Sequence, residues 1–219
     1  MEGHRLWAPV YDSKPNPLLA LEGRVLRELL GPIPQRRFLD VACGTGRWMT
    51  YVHERGGIVF GADLCAEMLV EAHRKAVLRG TLVMADAGNL PFRSRFADVS
   101  LCSFAAGYLP NLDHAVAELA RVTRTGGKVI ISDLHPEGVS NGWTRSFRLG
   151  PAHYEMQHFA PSVDRLRNAG ERAKLRFQNQ FDTCFGPQER PLFIELGKER
   201  QFAQVSAIPA VWIGVWAKP

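Results

Sequence analysis

The sequence predicts an α/β fold built on a parallel sheet, and three observations carry that expectation. Short apolar runs alternate with stretches of helical apolar spacing from about residue 17 to residue 134. The first run, Phe38-Leu39-Asp40-Val41-Ala42, passes into a glycine-rich turn, Cys43-Gly44-Thr45-Gly46, that opens a helix. Three carboxylates, Asp40, Asp63 and Asp86, stand at or near the ends of successive runs. That places them along the carboxyl edge of the sheet, where open α/β folds bind ligands.

The elements follow in order. Residues 1–15 read as irregular, with Trp7, Pro9, Tyr11 and Pro15. Asn16-Pro17 is an N-cap followed by proline at the first helical position. Leu18, Leu21, Val25, Leu26 and Leu29 then recur at helical spacing until Gly31-Pro32. After the first strand, a helix runs from Gly46 to about Arg55 and stops at Gly56-Gly57. Ile58 to Ala62 is the second strand. Cys65, Met68, Leu69, Ala72 and Ala76 give the next helix one apolar face, and Gly80 ends it. Thr81 to Ala85 is the third strand, and Ala97 to Ser103 alternates as a fourth. Leu112 to Val122 is an amphipathic helix, and Lys128 to Asp133 is a fifth strand rich in β-branched residues.

The alternation breaks at His135-Pro136. From there to Pro161 the chain reads as an irregular aromatic connection, long enough to be a lid or binding loop. Ser162 caps a short helix, residues 173–181 alternate as a sixth strand, a helix covers 198–205, and Ile208 to Trp216 is the last strand.

Composition narrows the function. The 219 residues, 46% hydrophobic, suffice for one domain with a full core. No run approaches membrane-spanning length, and the first residues lack the apolar centre of a signal peptide. Cys43, Cys65, Cys102 and Cys184 are scattered without metal-type spacing, so a reducing cytoplasm and no metal site are expected. The net charge of +5 comes from Lys and Arg spread along the chain, without the stripe that nucleic-acid binding wants.

The glycine turn lets a ligand approach bare backbone. Asp63, about 20 positions beyond Gly44, suits the hydroxyls of a ribose. A nicotinamide-dependent oxidoreductase shares those two features. Here, however, the third glycine of its GxGxxG pattern falls at Met49.

Together, LDVACGTGRW, GADLCAEML, ADAGNLPF, ADVSLCSFAAGYL and ELARVTRTGGKVIISDL resemble, in this order, the motifs of class I S-adenosylmethionine-dependent methyltransferases of the type 11 kind. The resemblance implies a Rossmann-like doubly wound seven-stranded sheet of order 3-2-1-4-5-7-6, with strand 7 antiparallel and helices on both faces. It implies S-adenosyl-L-methionine as cofactor and methyl transfer by in-line displacement. Residues 1–219 then form one methyltransferase domain, with 1–16 an N-terminal cover and 135–160 a lid or acceptor-binding insertion.

Carried over by position, the resemblance assigns Ala42, Gly44 and Gly46 to the cofactor's amino-acid portion and Asp40 to its amino group. Asp63 takes the ribose, Leu64 and Met68 flank the adenine, and Asp86 with Ala87 caps it. Phe104 and Ala105 line the methionyl end, and Tyr11 is a cover.

Ser103-Phe104-Ala105-Ala106 lacks the [Asn/Asp]-Pro-Pro-[Tyr/Phe] pattern of base N-methylation, so a small-molecule acceptor is expected rather than nucleic acid. An RNA or protein methyltransferase and a non-catalytic binder of the same cofactor stay open as alternatives. His135 is the expected general base, with His153 and His158 behind it. Tyr108, Trp143, Phe147, Tyr154 and Phe159 are the expected apolar acceptor wall, with Arg145 and Arg148 available to a carboxylate.

Overall fold

The computed structural model describes residues 2–219. The chain opens on helix α1 (Glu2–Trp7), a single 3-10 turn (Ala8–Val10) and helix α2 (Pro17–Leu30). The Asn16 side chain accepts the Leu18 amide at 3.0 Å, a cap worth about 1 kcal/mol. Then come β1 (Arg37–Val41), α3 (Arg47–His53), β2 (Ile58–Asp63), α4 (Ala66–Arg74), β3 (Leu82–Met84) and β4 (Ala97–Ser103). Helix α5 (Leu112–Val122) leads directly into β5 (Thr123–Leu134). This strand starts earlier than expected, because Thr123 already pairs with Ala97 and the register shifts before Lys128 pairs with Val99.

Two expectations of irregular chain are corrected. Residues 2–10 are helical, and Trp7 and Ala8 are buried. Beyond a short helix, α6 (Pro136–Ser140), the aromatic connection folds into an antiparallel hairpin of β6 (Arg145–Leu149) and β7 (Ala152–Met156). Gly150 and Pro151 form its two-residue turn, and Gly150 takes the positive φ of 58° that hairpin turns favour. The hairpin pleat puts Arg145, Phe147 and Leu149 on one face and Ser146 and Arg148 on the other.

The chain closes with α7 (Val163–Arg172), β8 (Arg176–Thr183), α8 (Arg190–Glu195), α9 (Glu199–Val205) and β9 (Val211–Ala217). Its main sheet has seven strands in the order β3-β2-β1-β4-β5-β9-β8. Counting only this sheet, the order is 3-2-1-4-5-7-6. The last strand runs antiparallel to both neighbours, as the resemblance implies.

Strand alternation divides the core. Phe38, Val99, Leu101, Ile130 and Ile213 pack under α2, α3 and α8. Leu39, Cys102, Val129, Ile131 and Trp212 pack under α5 and α7. A third, smaller cluster joins Trp7 and Ala8 to Cys65 and Met68 of the α4 region and to Phe147 and Met156 of the hairpin. This cluster sits over the carboxyl edge, so residues 2–12 and the hairpin form a roof there. Among the described residues, no helix is long and apolar enough to cross a membrane.

Candidate active site

The site grows from the end of β1. Ala42 and Gly44 both take positive φ, 57° and 54°, and Gly46 follows at 77° before α3 begins. A Cβ at Gly46 would strike Leu78, so this glycine is required for close packing. A Cβ at Gly44 would meet nothing nearer than the Met68 sulfur at 4.0 Å, leaving open space beside its backbone.

Asp63 braces this turn. One of its carboxylate oxygens accepts the Gly44 amide at 2.7 Å and the other accepts the Cys65 amide at 2.8 Å. Each oxygen keeps a second lone pair. Burial pushes the Asp63 pKa up, and the amide hydrogen bonds oppose it. Asp86 lies on the neighbouring chain: β3 pairs Met84 with Asp63, and the Ala85 amide donates to the Asp63 carbonyl at 3.0 Å. Asp86 is exposed and accepts the Gly88 amide at 2.6 Å, and Ala87 beside it is buried. Leu64 is exposed and Met68 is buried beneath Trp7 and Ala8.

Asp40 is different. It is buried on β1, and its Oδ1 has no hydrogen-bond partner among the described residues. Burial raises its pKa far above the ordinary carboxylate range. The charge of Arg47 opposes that shift, whereas Glu22 and Asp63 add to it. A buried polar atom left bare is costly, which marks a place for a donor that is not part of the chain.

The roof is latched to the glycine turn. Asp12 accepts the Thr45 hydroxyl at 3.0 Å and the Lys75 ammonium at 2.9 Å, and Lys75 also donates to the Thr45 carbonyl at 2.7 Å. Tyr11 sits under this latch, its ring 4.9 Å from that of Trp7. Asp12, Trp7 and Lys75 carry no motif, and sequence reasoning missed them.

Beside the roof lies a cavity of about 720 Å³. Trp143, Phe147 and His153, three of the residues expected to meet an acceptor, line it together with Tyr11, Arg145 and Arg148. Tyr154 packs flat on Phe147 at 5.1 Å, inside the roof cluster rather than on the cavity wall. Phe159 is exposed. Tyr108 is half-buried, with its hydroxyl buried and unpartnered among the described residues and its pKa pushed up to about 12 by burial. Phe104, at a positive φ of 51°, and buried Ala105 follow β4.

His135 is the main correction. Its Nδ1 accepts the Glu137 amide at 3.2 Å as the N-cap of α6, and its Nε2 faces Asp182 at 3.2 Å. With both ring nitrogens engaged and the ring buried, it has no free lone pair for an acceptor's proton. His158 is also committed. Its Nε2 meets Asp133 at 2.9 Å, and Asp133 further accepts the Gly107 and Leu134 amides, each at 2.7 Å. Asp133 interrupts an apolar strand just as Asp40 does, so the same signal pointed to it. Of the three candidate histidines, His153 lines the cavity.

Behind the site, Glu22 is fully buried. It accepts hydrogen bonds from Arg47, Ser132, Ser103 at 2.7 Å and Trp48 at 3.2 Å. The sequence signal was an acid lying within the apolar stripe of α2.

The sheet order, the glycine turn after β1 and the braced carboxylate at the end of β2 define the Rossmann-like arrangement of class I methyltransferases. A family model described as a methyltransferase domain matches residues 39–131. The 2-phytyl-1,4-naphtoquinone methyltransferase of Synechocystis sp. is 32% identical over 177 residues, covering 76% of this chain and 71% of that protein. The malonyl-[acyl-carrier protein] O-methyltransferase of Hamiltonella defensa is 33% identical over 109 residues, covering 50% of this chain and 42% of that protein. The chain thus spans less than half the length of the first curated relatives it matches. The fold is shared with an S-adenosylmethionine-dependent methyltransferase from Mesorhizobium loti, at a TM-score of 0.71 and 19% identity over 92% of this chain and 100% of the other. This chain belongs to the class I S-adenosylmethionine-dependent methyltransferase family, whose cofactor is S-adenosylmethionine.

Proposed function

We propose that this chain transfers a methyl group from S-adenosylmethionine to a small-molecule acceptor held in the 720 Å³ cavity. The observation that carries the reading is Asp40, a buried carboxylate with an unpartnered oxygen beside a glycine turn. An α-ammonium is the donor that this oxygen lacks, so the residues present fit the cofactor. Gly44 and Gly46 give its amino-acid portion access to backbone, and Asp63 keeps lone pairs for ribose hydroxyls. Met68 lies beneath the adenine place, and Asp86 with Ala87 stands at its rim.

When bound, the cofactor supplies an electrophilic methyl on a sulfonium, so it brings the reactive chemistry itself. The chain's task is position. The Asp12 latch and the Trp7 roof exclude water from the carboxyl edge. The cavity walls hold the acceptor in line, and alignment of this kind can lower a barrier by about 7–11 kcal/mol in the best cases. His153 is the histidine placed to take a proton from an acceptor that sheds one.

Calorimetry with S-adenosylhomocysteine tests the cofactor half. Wild-type protein binds it, and Asp63→Ala lowers affinity at least about tenfold, the scale of one lost hydrogen bond to a charged group. No binding by the wild-type protein rejects the reading.

A further inference from the structure

The cavity contains an unusual charge. Arg145 is buried on β6, with 5% of its surface exposed, yet no carboxylate of the described residues lies within ion-pair distance of it. Its Nη1 has no hydrogen-bond partner among the described residues. Phe104, Trp7 and Tyr108 surround the guanidinium with their rings, at 4.8, 5.5 and 6.0 Å from ring centre to Cζ. Cation–π contacts of this kind soften the burial of the charge but offer the N–H groups no lone pair in their plane. The groups that favour its charge are the Tyr11 phenol, which also hydrogen-bonds the guanidinium, the Tyr108 phenol and then Asp133, and that one carboxylate is already committed to His158, Gly107 and Leu134.

The rest of the wall has the same sign. Lys14, Arg148 and Lys198 also line the cavity, and no Asp or Glu of the described residues does. Apolar rings, Trp143, Phe185 and Phe193, cover much of the remainder. A buried cation without a counter-ion is unfavourable, and a planar guanidinium matches a carboxylate or phosphate through paired hydrogen bonds.

We propose that Arg145 is the seat for an anionic group on the acceptor, so that this chain acts on apolar-bodied molecules bearing a carboxylate or a phosphate. The inference rests on the reading of the cavity as the acceptor site. Arg145 anchors the acid at the inner wall against Phe104. Lys14, Arg148 and Lys198 draw such molecules in, and the rings hold the body.

Trp7 and Trp143 line the cavity, so ligand entry reads out as a change in tryptophan fluorescence. Full-length protein saturated with S-adenosylhomocysteine is titrated with decanoate, decyl phosphate and 1-naphthoate, each against its neutral alcohol. At least one anion binds about tenfold or more tightly than its alcohol, and Arg145→Gln removes that preference while keeping S-adenosylhomocysteine affinity within about twofold. The stronger of the carboxylate and phosphate probes tells which acid the seat prefers.

Equal binding of anion and alcohol, or no anion binding at all, overturns the proposal. So does a parallel loss of S-adenosylhomocysteine in Arg145→Gln, which would assign the guanidinium to the cofactor's own carboxylate. If Arg145→Gln fails to fold, Arg145→Lys decides: it keeps the charge but not the paired N–H groups, so the anion preference falls several-fold, and an unchanged preference overturns the proposal. Failure of wild-type protein to bind S-adenosylhomocysteine at all is a separate result, and rejects the methyltransferase reading instead.

Discussion

At the residue scale, the proposed cofactor site makes a definite prediction about Asp40. Its carboxyl group is pushed toward the neutral form by burial, and the cofactor's ammonium would favour the charged form. Cofactor binding therefore lowers the Asp40 pKa, and releases protons at any pH at which the unliganded carboxyl group holds them. Calorimetric titration of S-adenosylhomocysteine in two buffers of different ionisation enthalpy should reveal that release. Asp40→Asn should abolish it and weaken affinity by about tenfold to a hundredfold. Unchanged proton release in the variant would assign it to another group. Asp40 was legible in the sequence because a lone carboxylate in an apolar strand is conspicuous. His135 misled for the opposite reason: its position after β5 suggested a base, and only its partners, the Glu137 amide and Asp182, show that it is a helix cap.

At the scale of elements, the roof is held by the smallest of the three apolar clusters. Helix α1 packs through Trp7, and His4 packs edge-on to Tyr108 at 4.6 Å. Burial, with the Arg145 charge adding to it, lowers the His4 pKa to about 4. The closed roof therefore binds fewer protons than the open one between pH 4 and the ordinary histidine value of 6.5. Its stability is fully present above pH 6.5 and is lost as pH falls toward 4. The protection factors of residues 2–12 in hydrogen exchange, corrected for the intrinsic rate at each pH, should fall about tenfold or more over that range, and His4→Leu should flatten the response. An identical fall in His4→Leu would remove His4 from the roof's closure. The roof was poorly legible because its helix is short and its apolar residues face a hairpin distant in sequence. The hairpin itself left a signal that was passed over: Gly150-Pro151 sits between two alternating runs.

At the scale of the molecule, Glu22 joins α2 to α3 through Arg47 and Trp48, to β4 through Ser103, and to β5 through Ser132. Removing one partner of a buried ion pair costs about 3–5 kcal/mol. Glu22→Leu should therefore lower the melting temperature by roughly 6–20 °C for a chain of this size, read by calorimetry. A change within a degree or two would mean that the cluster adds nothing to stability. The sequence by itself determined the strands, because apolar runs and glycine turns mark them along the chain, and the resemblance carried by the five motifs implied their order. It also pointed to the family and to the residues proposed for the cofactor, since Gly44, Asp40, Asp63 and Asp86 lie in short local motifs. Only the tertiary structure decided which side chains face the cavity, that Arg145 lies there without a counter-ion, and that His135 and His158 are already taken. Those facts depend on contacts between residues far apart in the chain, and local spacing carries no information about them.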